Sequence, residues 1–238
     1  MQRPILWLVS FLLPAPLWAW EFHAISQTSH PVIIELYTSQ GCSSCPPAEQ
    51  WLSGFTQETG LWHTFFPMAF HVSYWDYLGW KDSYAQQTFS RRQYAYWNRK
   101  HSKGVYTPQI FIDGKEWRGG ELPVTKAAPR LNFSLADGVI SATFDGAADV
   151  LNLAIVGVGL QTRVARGENR GRLLQHDFTV LSFFQYENCS DDPLQSQFNA
   201  TLALDIDSLR RRAPRLALVV WAEANLRPLQ AAGGWLTQ

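Results

Sequence analysis

The stretch Val32-Ile33-Ile34-Glu35-Leu36-Tyr37-Thr38-Ser39-Gln40-Gly41-Cys42-Ser43-Ser44-Cys45-Pro46-Pro47-Ala48-Glu49 decides how this chain is read. Its first six residues form a β-rich run that stops at polar Thr38–Gly41. A Cys-x-x-Cys pair follows at once, and Pro46 and Pro47 open a helical stretch expected from Ala48 to about Glu58, with Trp51, Leu52 and Phe55 on one face. A sulfur placed between a strand and a helix start lies near helix-terminal N–H groups, whose positive potential favours thiolate over thiol. The same prolines weaken that effect. A helix starting near Cys42 would lose its first two hydrogen bonds to them, whereas a start after Cys45 leaves both cysteines in the preceding loop.

Working outward, Phe65–Phe70 reads as a second strand, irregular at Pro67. An aromatic-rich loop, His71 to Trp80, leads into a helical segment from about Asp82 to Lys100. Gly104–Pro108 is a turn, Gln109–Ile112 a strand, Asp113-Gly114 a hairpin turn and Lys115–Trp117 the returning strand. A short helix is expected from about Leu122 to Leu131. This order of elements is that of thioredoxin, so the expected fold is an α/β thioredoxin-like domain over residues 20–132. From about Phe133 the texture becomes β-like, with runs at Val139–Phe144, Val150–Val158, Asp177–Tyr186, Phe198–Leu204 and Leu216–Ala222. Residues 133–238 are therefore expected to form a β-rich, sandwich-like accessory domain packed on the first.

The first nineteen residues read as a signal peptide: Arg3 in the n-region, an apolar run from Ile5 to Leu13, and Leu17-Trp18-Ala19 at the cleavage point. The apolar run is too short to span a bilayer, so no membrane span is expected after signal removal, and the location is read as periplasmic or secreted. Disulfides persist there. The 238-residue chain has no net formal charge, 46% hydrophobic and 17% charged residues, which permits a large core and argues against a nucleic-acid partner. Of three cysteines, two share one motif and Cys189 stands alone, which suits a local pair plus a leftover thiol better than a disulfide framework.

Cys42 is assigned as attacking thiol and Cys45 as resolving thiol, with each other as disulfide partner. Thr107-Pro108 is expected to be a cis peptide whose exposed backbone could pair with an extended substrate. Glu35, in an otherwise apolar strand, is either a proton relay to the resolving cysteine or a carboxylate paired with a Lys or Arg. The loop Tyr74–Asp82, with Trp75, Asp76, Tyr77 and Trp80, could line a binding groove or pack as a core cap. Zinc would need two further ligands at similar spacing, and there is no second Cys-x-x-Cys or close His pair, so no metal or other cofactor is expected. Copper held by both thiolates and a distant His, such as His71, is the metal alternative.

Residues 35–49 resemble the signature of the secreted bacterial family of domain of unknown function 1223. His71–Asp82, Val105–Gln109 and Arg166-Gly167-Glu168-Asn169-Arg170-Gly171-Arg172 are similar to it as well, and Cys189 stands outside the shared pattern. The resemblance implies a thioredoxin-like domain with an appended β-rich one and bacterial export, but no reaction. The reading from the residues is an exported thiol–disulfide oxidoreductase acting on protein or small-molecule thiols and disulfides. The alternatives are a binding protein stapled by Cys42–Cys45 and a metal carrier.

Overall fold

The computed structural model describes residues 21–124 and 126–236; the signal peptide read at 1–19 lies outside them. The strands are β1 (Phe22–Ile25), β2 (Val32–Thr38), β3 (Phe65–His71), β4 (Gln109–Ile112), β5 (Lys115–Trp117), β6 (Leu131–Ala136), β7 (Val139–Phe144), β8 (Val150–Val158), β9 (Leu160–Arg163), β10 (Leu173–His176), β11 (Thr179–Glu187), β12 (Ser196–Thr201), β13 (Arg215–Ala224) and β14 (Arg227–Trp235). The α-helices are α1 (Pro46–Ser53), α2 (Gln87–Asn98) and α3 (Ile206–Arg212), with 3-10 turns at Gly54–Gln57 and Ser73–Leu78.

Eight strands form one mixed sheet in the order β14-β13-β8-β11-β3-β2-β4-β5. Four more form an antiparallel sheet, β1-β6-β7-β12, and β9 and β10 make a separate hairpin. Period-two alternation explains why β8 and β13 are apolar almost throughout. Ala154, Val156, Ala217, Val219 and Trp221 face one core. Leu151, Leu153, Ile155, Leu218, Val220 and Ala222 face a second, shared with Phe133, Ile140 and Phe198 of the four-stranded sheet. Only a strand buried on both faces keeps such a sequence.

This architecture corrects the expected fold class. The chain is not an α/β thioredoxin-like domain followed by a sandwich. It is mostly strand, its largest sheet is mixed, and the described residues contain few helices. The elements beside Cys42 and Cys45 form where the local pattern puts them. What the pattern does not contain is the pairing of distant strands. Ala69 N donates to Phe178 O at 2.8 Å and Thr179 pairs with Ala69, which joins β11, and through it β8, β13 and β14, to the edge of β3. The helix expected over Leu122–Leu131 does not form: Pro123 and Pro129 lack the N–H it would need, and Leu131 begins β6.

Pro67 sits inside β3 for a related reason. Residues two apart in a strand turn their nitrogens to the same edge. The Pro67 nitrogen therefore faces the side on which β11 begins only opposite Ala69, so the missing donor leaves no ladder bond unmade.

Alternation along β2 also distributes the helices. Glu35 and Tyr37 face α2, where Arg92 and Tyr96 contact Glu35. Thr38 turns to the opposite face and meets Glu49 of α1. On the α2 face Arg92, 3% exposed, forms ion pairs with both Glu35 and Glu223, so a single guanidinium ties α2 to β2 and β13. Tyr37 and Tyr96 donate their hydroxyls to Glu35 at 2.7 and 2.8 Å, and Trp221 donates to Glu223 at 3.1 Å. Burial works against the Glu223 carboxylate, but the Arg92 charge and hydrogen bonds hold its pKa below the usual glutamate value. A depressed pKa contributes stability that is full above the unfolded-state value and is lost as pH falls through the folded one.

Arg92→Met should leave two buried carboxylates without a cation and cost roughly 3–5 kcal/mol in urea unfolding at neutral pH. A loss under about 1 kcal/mol, the range of exposed pairs, would show that the triad does not hold the layers together.

Candidate functional site

The motif is placed by the end of β2 and the start of α1. Cys45 is the N-cap of α1, with helical dihedrals of φ −76° and ψ −36°, and Pro46 and Pro47 fill the first two helical positions, where a missing N–H costs nothing. The Cys45 carbonyl accepts from Ala48 N at 3.0 Å and Glu49 N at 3.1 Å. The regular helix thus starts after both cysteines. Cys45 and Glu49, four residues apart in helical conformation, share one face.

Cys42 and Cys45 are joined in a disulfide with Cα atoms 5.4 Å apart. Both are fully buried, while Ser43 and Ser44 between them are exposed. The Ser44 hydroxyl lies 3.4 Å from Cys42 Sγ, in reach to donate to a thiolate. The loop between β9 and β10 covers the motif. Asn169, itself buried, donates from Nδ2 to the carbonyls of Gln40 and Cys42 at 2.9 Å each. Glu168 accepts from Ser43 N at 3.0 Å, and Arg172 fixes the Asn169 side chain through its oxygen at 2.8 Å.

Beneath the motif lies a buried polar cluster. Thr38 donates to Glu49 Oε1 at 2.6 Å, and Glu49 Oε2 lies 2.6 Å from His176 Nδ1. His71 Nδ1 lies 2.7 Å from Asp82 Oδ2, which also accepts from Gln40 N at 2.8 Å. Burial opposes ionisation of Glu49, but the His176 hydrogen bond, the two imidazole charges and Thr38 hold its pKa low. Asp82 is likewise held low against burial by His71 and by backbone N–H groups. Burial disfavours a charged His71, yet the Asp82 and Glu49 carboxylates raise its pKa above the ordinary value.

The residues singled out from the sequence divide. Thr107-Pro108 is a cis peptide, and Pro108 lines a shallow groove with Tyr106, Ile110, Trp117 and Arg118. Trp75 packs beside the motif: a Cβ added to Gly41 would lie 3.5 Å from its Cβ. Trp80 donates to the Gln40 side chain at 2.9 Å, and Asp76 accepts from Asp82 N at 3.1 Å. Tyr77 is 81% exposed and stands away from the others. Glu35 has Arg92, Tyr37 and Tyr96 as partners and neither cysteine, so its geometry is that of the ion-paired carboxylate. Cys189 is an exposed free thiol.

The sequence places Asp82 only as the end of the Tyr74–Asp82 loop and gives Glu49, Asn169 and His176 no individual role. Glu49, Asp82 and Asn169 were within reach, because residues 35–49, His71–Asp82 and Arg166–Arg172 are among the stretches that resemble the family. Glu49 and His176 are 127 residues apart in the chain, and no local pattern joins them.

Fold and site define a mixed β-sheet protein with a Cys-x-x-Cys disulfide at a helix start, roofed by a hairpin loop. The chain belongs to the family described as Protein of unknown function (DUF1223), which matches residues 33–222. No curated protein matches it. Among solved structures it is similar to protein AGR_C_4864 of Agrobacterium tumefaciens, at 22% identity, covering 90% of this chain and 98% of that one, with a TM-score of 0.57. It is also similar to HBP35 of Porphyromonas gingivalis, at 12% identity, covering 89% and 76%, with a TM-score of 0.51. At these identities the likeness is one of fold.

Asn169→Ala removes two hydrogen bonds that seat the loop on the motif, each worth about 1 kcal/mol. Thiol trapping should show the Cys42–Cys45 bond of the folded variant reduced by dithiothreitol about tenfold faster than in wild type. An unchanged rate would mean that the loop does not control access.

Proposed function

We propose that this chain is an exported thiol–disulfide redox protein of the periplasm or exterior, with Cys42 as attacking and Cys45 as resolving thiol. The observation that carries the reading is the loop the bond closes, set against the size of the fold around it. Bridging residues only three apart removes little chain entropy, about 2 kcal/mol, against about 4.7 kcal/mol for a 100-residue loop. Small domains without a sufficient core need such staples. This chain has two extensive cores. A bond of small structural value, kept at a helix start, is better explained by its chemistry.

In the reduced protein the Cys42 thiolate attacks a substrate disulfide, forming a mixed disulfide and releasing one substrate thiolate. Cys45, deprotonated, then attacks Cys42 Sγ, which re-forms the internal bond and releases the second. Two electrons pass from protein to substrate, and the two thiol protons end on the substrate sulfurs. The reverse sequence oxidises a dithiol. The substrate is a protein or small-molecule thiol or disulfide, and the sulfurs need no dissolved cofactor. The cis Pro108 groove is the proposed substrate edge, and Trp75, Trp80 and Asp76 shape the wall beside Gly41 and Gln40.

Burial of both sulfurs favours a second reading, a binding protein that uses the bond as a fixed staple. An insulin-reduction or scrambled-ribonuclease assay separates the two. Wild type should be active and Cys42→Ser inactive, and equal rates would exclude the redox reading.

A further inference from the structure

The two imidazoles beneath the disulfide have one nitrogen each that the redox reading does not use. His71 and His176 have fully buried side chains, and Glu49 is 7% exposed. Each histidine has its Nδ1 on a buried carboxylate, Asp82 for His71 and Glu49 for His176. Among the described residues, neither Nε2 has a hydrogen-bond partner. A buried polar nitrogen without a partner costs about 1–3 kcal/mol, and here two occur within one cluster. The ring centroids are 5.3 Å apart, and one donor atom from each of Glu49, His71 and His176 lies within 4.8 Å of the others.

We propose that His71, His176 and Glu49 form a binding site for a divalent first-row transition metal ion, with zinc as the reference case. Four arguments converge on it. Imidazole nitrogen and carboxylate oxygen are the donors such ions take, and a His-His-carboxylate set with an open position is a known zinc arrangement. A carboxylate on the second ring nitrogen is the usual support of a ligating histidine; Asp82 holds that place for His71, whereas Glu49, whose oxygens now meet His176 Nδ1 and Thr38, must turn one of them to the ion. The Glu49 and Asp82 carboxylates, each hydrogen-bonded to one imidazole, draw positive charge into the cluster, and ligation puts a cation there in place of imidazole protons. Ligands of a tetrahedral zinc ion stand about 3.4 Å apart, so donor atoms now within 4.8 Å of one another must draw in by about 1 Å or more as Glu49 turns.

Access runs through the cleft between α1 and β10, lined by Pro46, Glu49, Gln50, Arg172, Leu174 and Gln175, which reaches Glu49 directly. The sulfurs are tied to each other, so the proposed donors are nitrogen and oxygen only. This sets the site apart from a thiolate copper site, and it holds whether or not the disulfide turns over.

The test uses tag-free mature protein with the disulfide intact. Zinc added alone should bind with about one equivalent by titration calorimetry and raise the unfolding temperature. Glu49→Gln and His176→Gln should each weaken binding at least about tenfold while keeping the wild-type near-ultraviolet circular dichroism. Should either variant fail to fold, cobalt titrated into wild type decides. Visible d–d bands without a thiolate-to-cobalt charge-transfer band support the site. Absence of stoichiometric zinc or cobalt binding, unchanged affinity in folded variants, or a thiolate band would overturn it.

Discussion

A single buried guanidinium holds the layers of this protein in register. Arg92 reaches from α2 to Glu35 on β2 and to Glu223 on β13, two strands separated in the sheet by β8, β11 and β3. Three charges removed from water are tolerated because each is paired and the surrounding Tyr37, Tyr96 and Trp221 donors fill remaining acceptor positions. Apolar side chains in their place could pack as tightly, but would not select which strand lies under the helix. The triad therefore fixes how β2 lies against α2, three residues before the strand ends at Thr38 and the cysteine motif follows.

Alternation along β2 turns that constraint into a site. Glu35 and Tyr37 are committed to the α2 face, so Thr38 points the other way and receives Glu49 from α1. One helical turn separates Glu49 from Cys45, and β10 brings His176 to the same carboxylate. Structural charge and candidate chemistry are thus divided between the two faces of one strand. The motif adjoins the polar cluster through the Cys45 carbonyl, which accepts from Glu49 N, and is covered by the loop carrying Asn169.

Much of the local structure was legible in the sequence. β2, β3, β4 and β8 lie where their β-rich runs put them and Thr107-Pro108 is cis, whereas the two prolines left open whether the helix starts near Cys42 or after Cys45, and the structure has the second. The fold class was not legible, because it depends on β11 adding to the edge of β3, a pairing of residues more than one hundred positions apart with no local signature. The same distance hid His176 and Asn169. Glu35 was visible as an odd residue in an apolar strand, but its partners, and so its role, come from α2 and β13. Where chemistry is carried by neighbours in sequence, as in Cys42-Ser43-Ser44-Cys45, it can be read from the chain. Where tertiary structure assembles it, it cannot.

The central claim is that the Cys42–Cys45 bond exchanges electrons rather than serving as a staple. Its reduction potential, measured in the folded wild-type protein against a glutathione or dithiothreitol couple, addresses this most directly. The account predicts a value at or above that of thioredoxin, about −270 mV, and a value below about −300 mV, where structural disulfides lie, would contradict it.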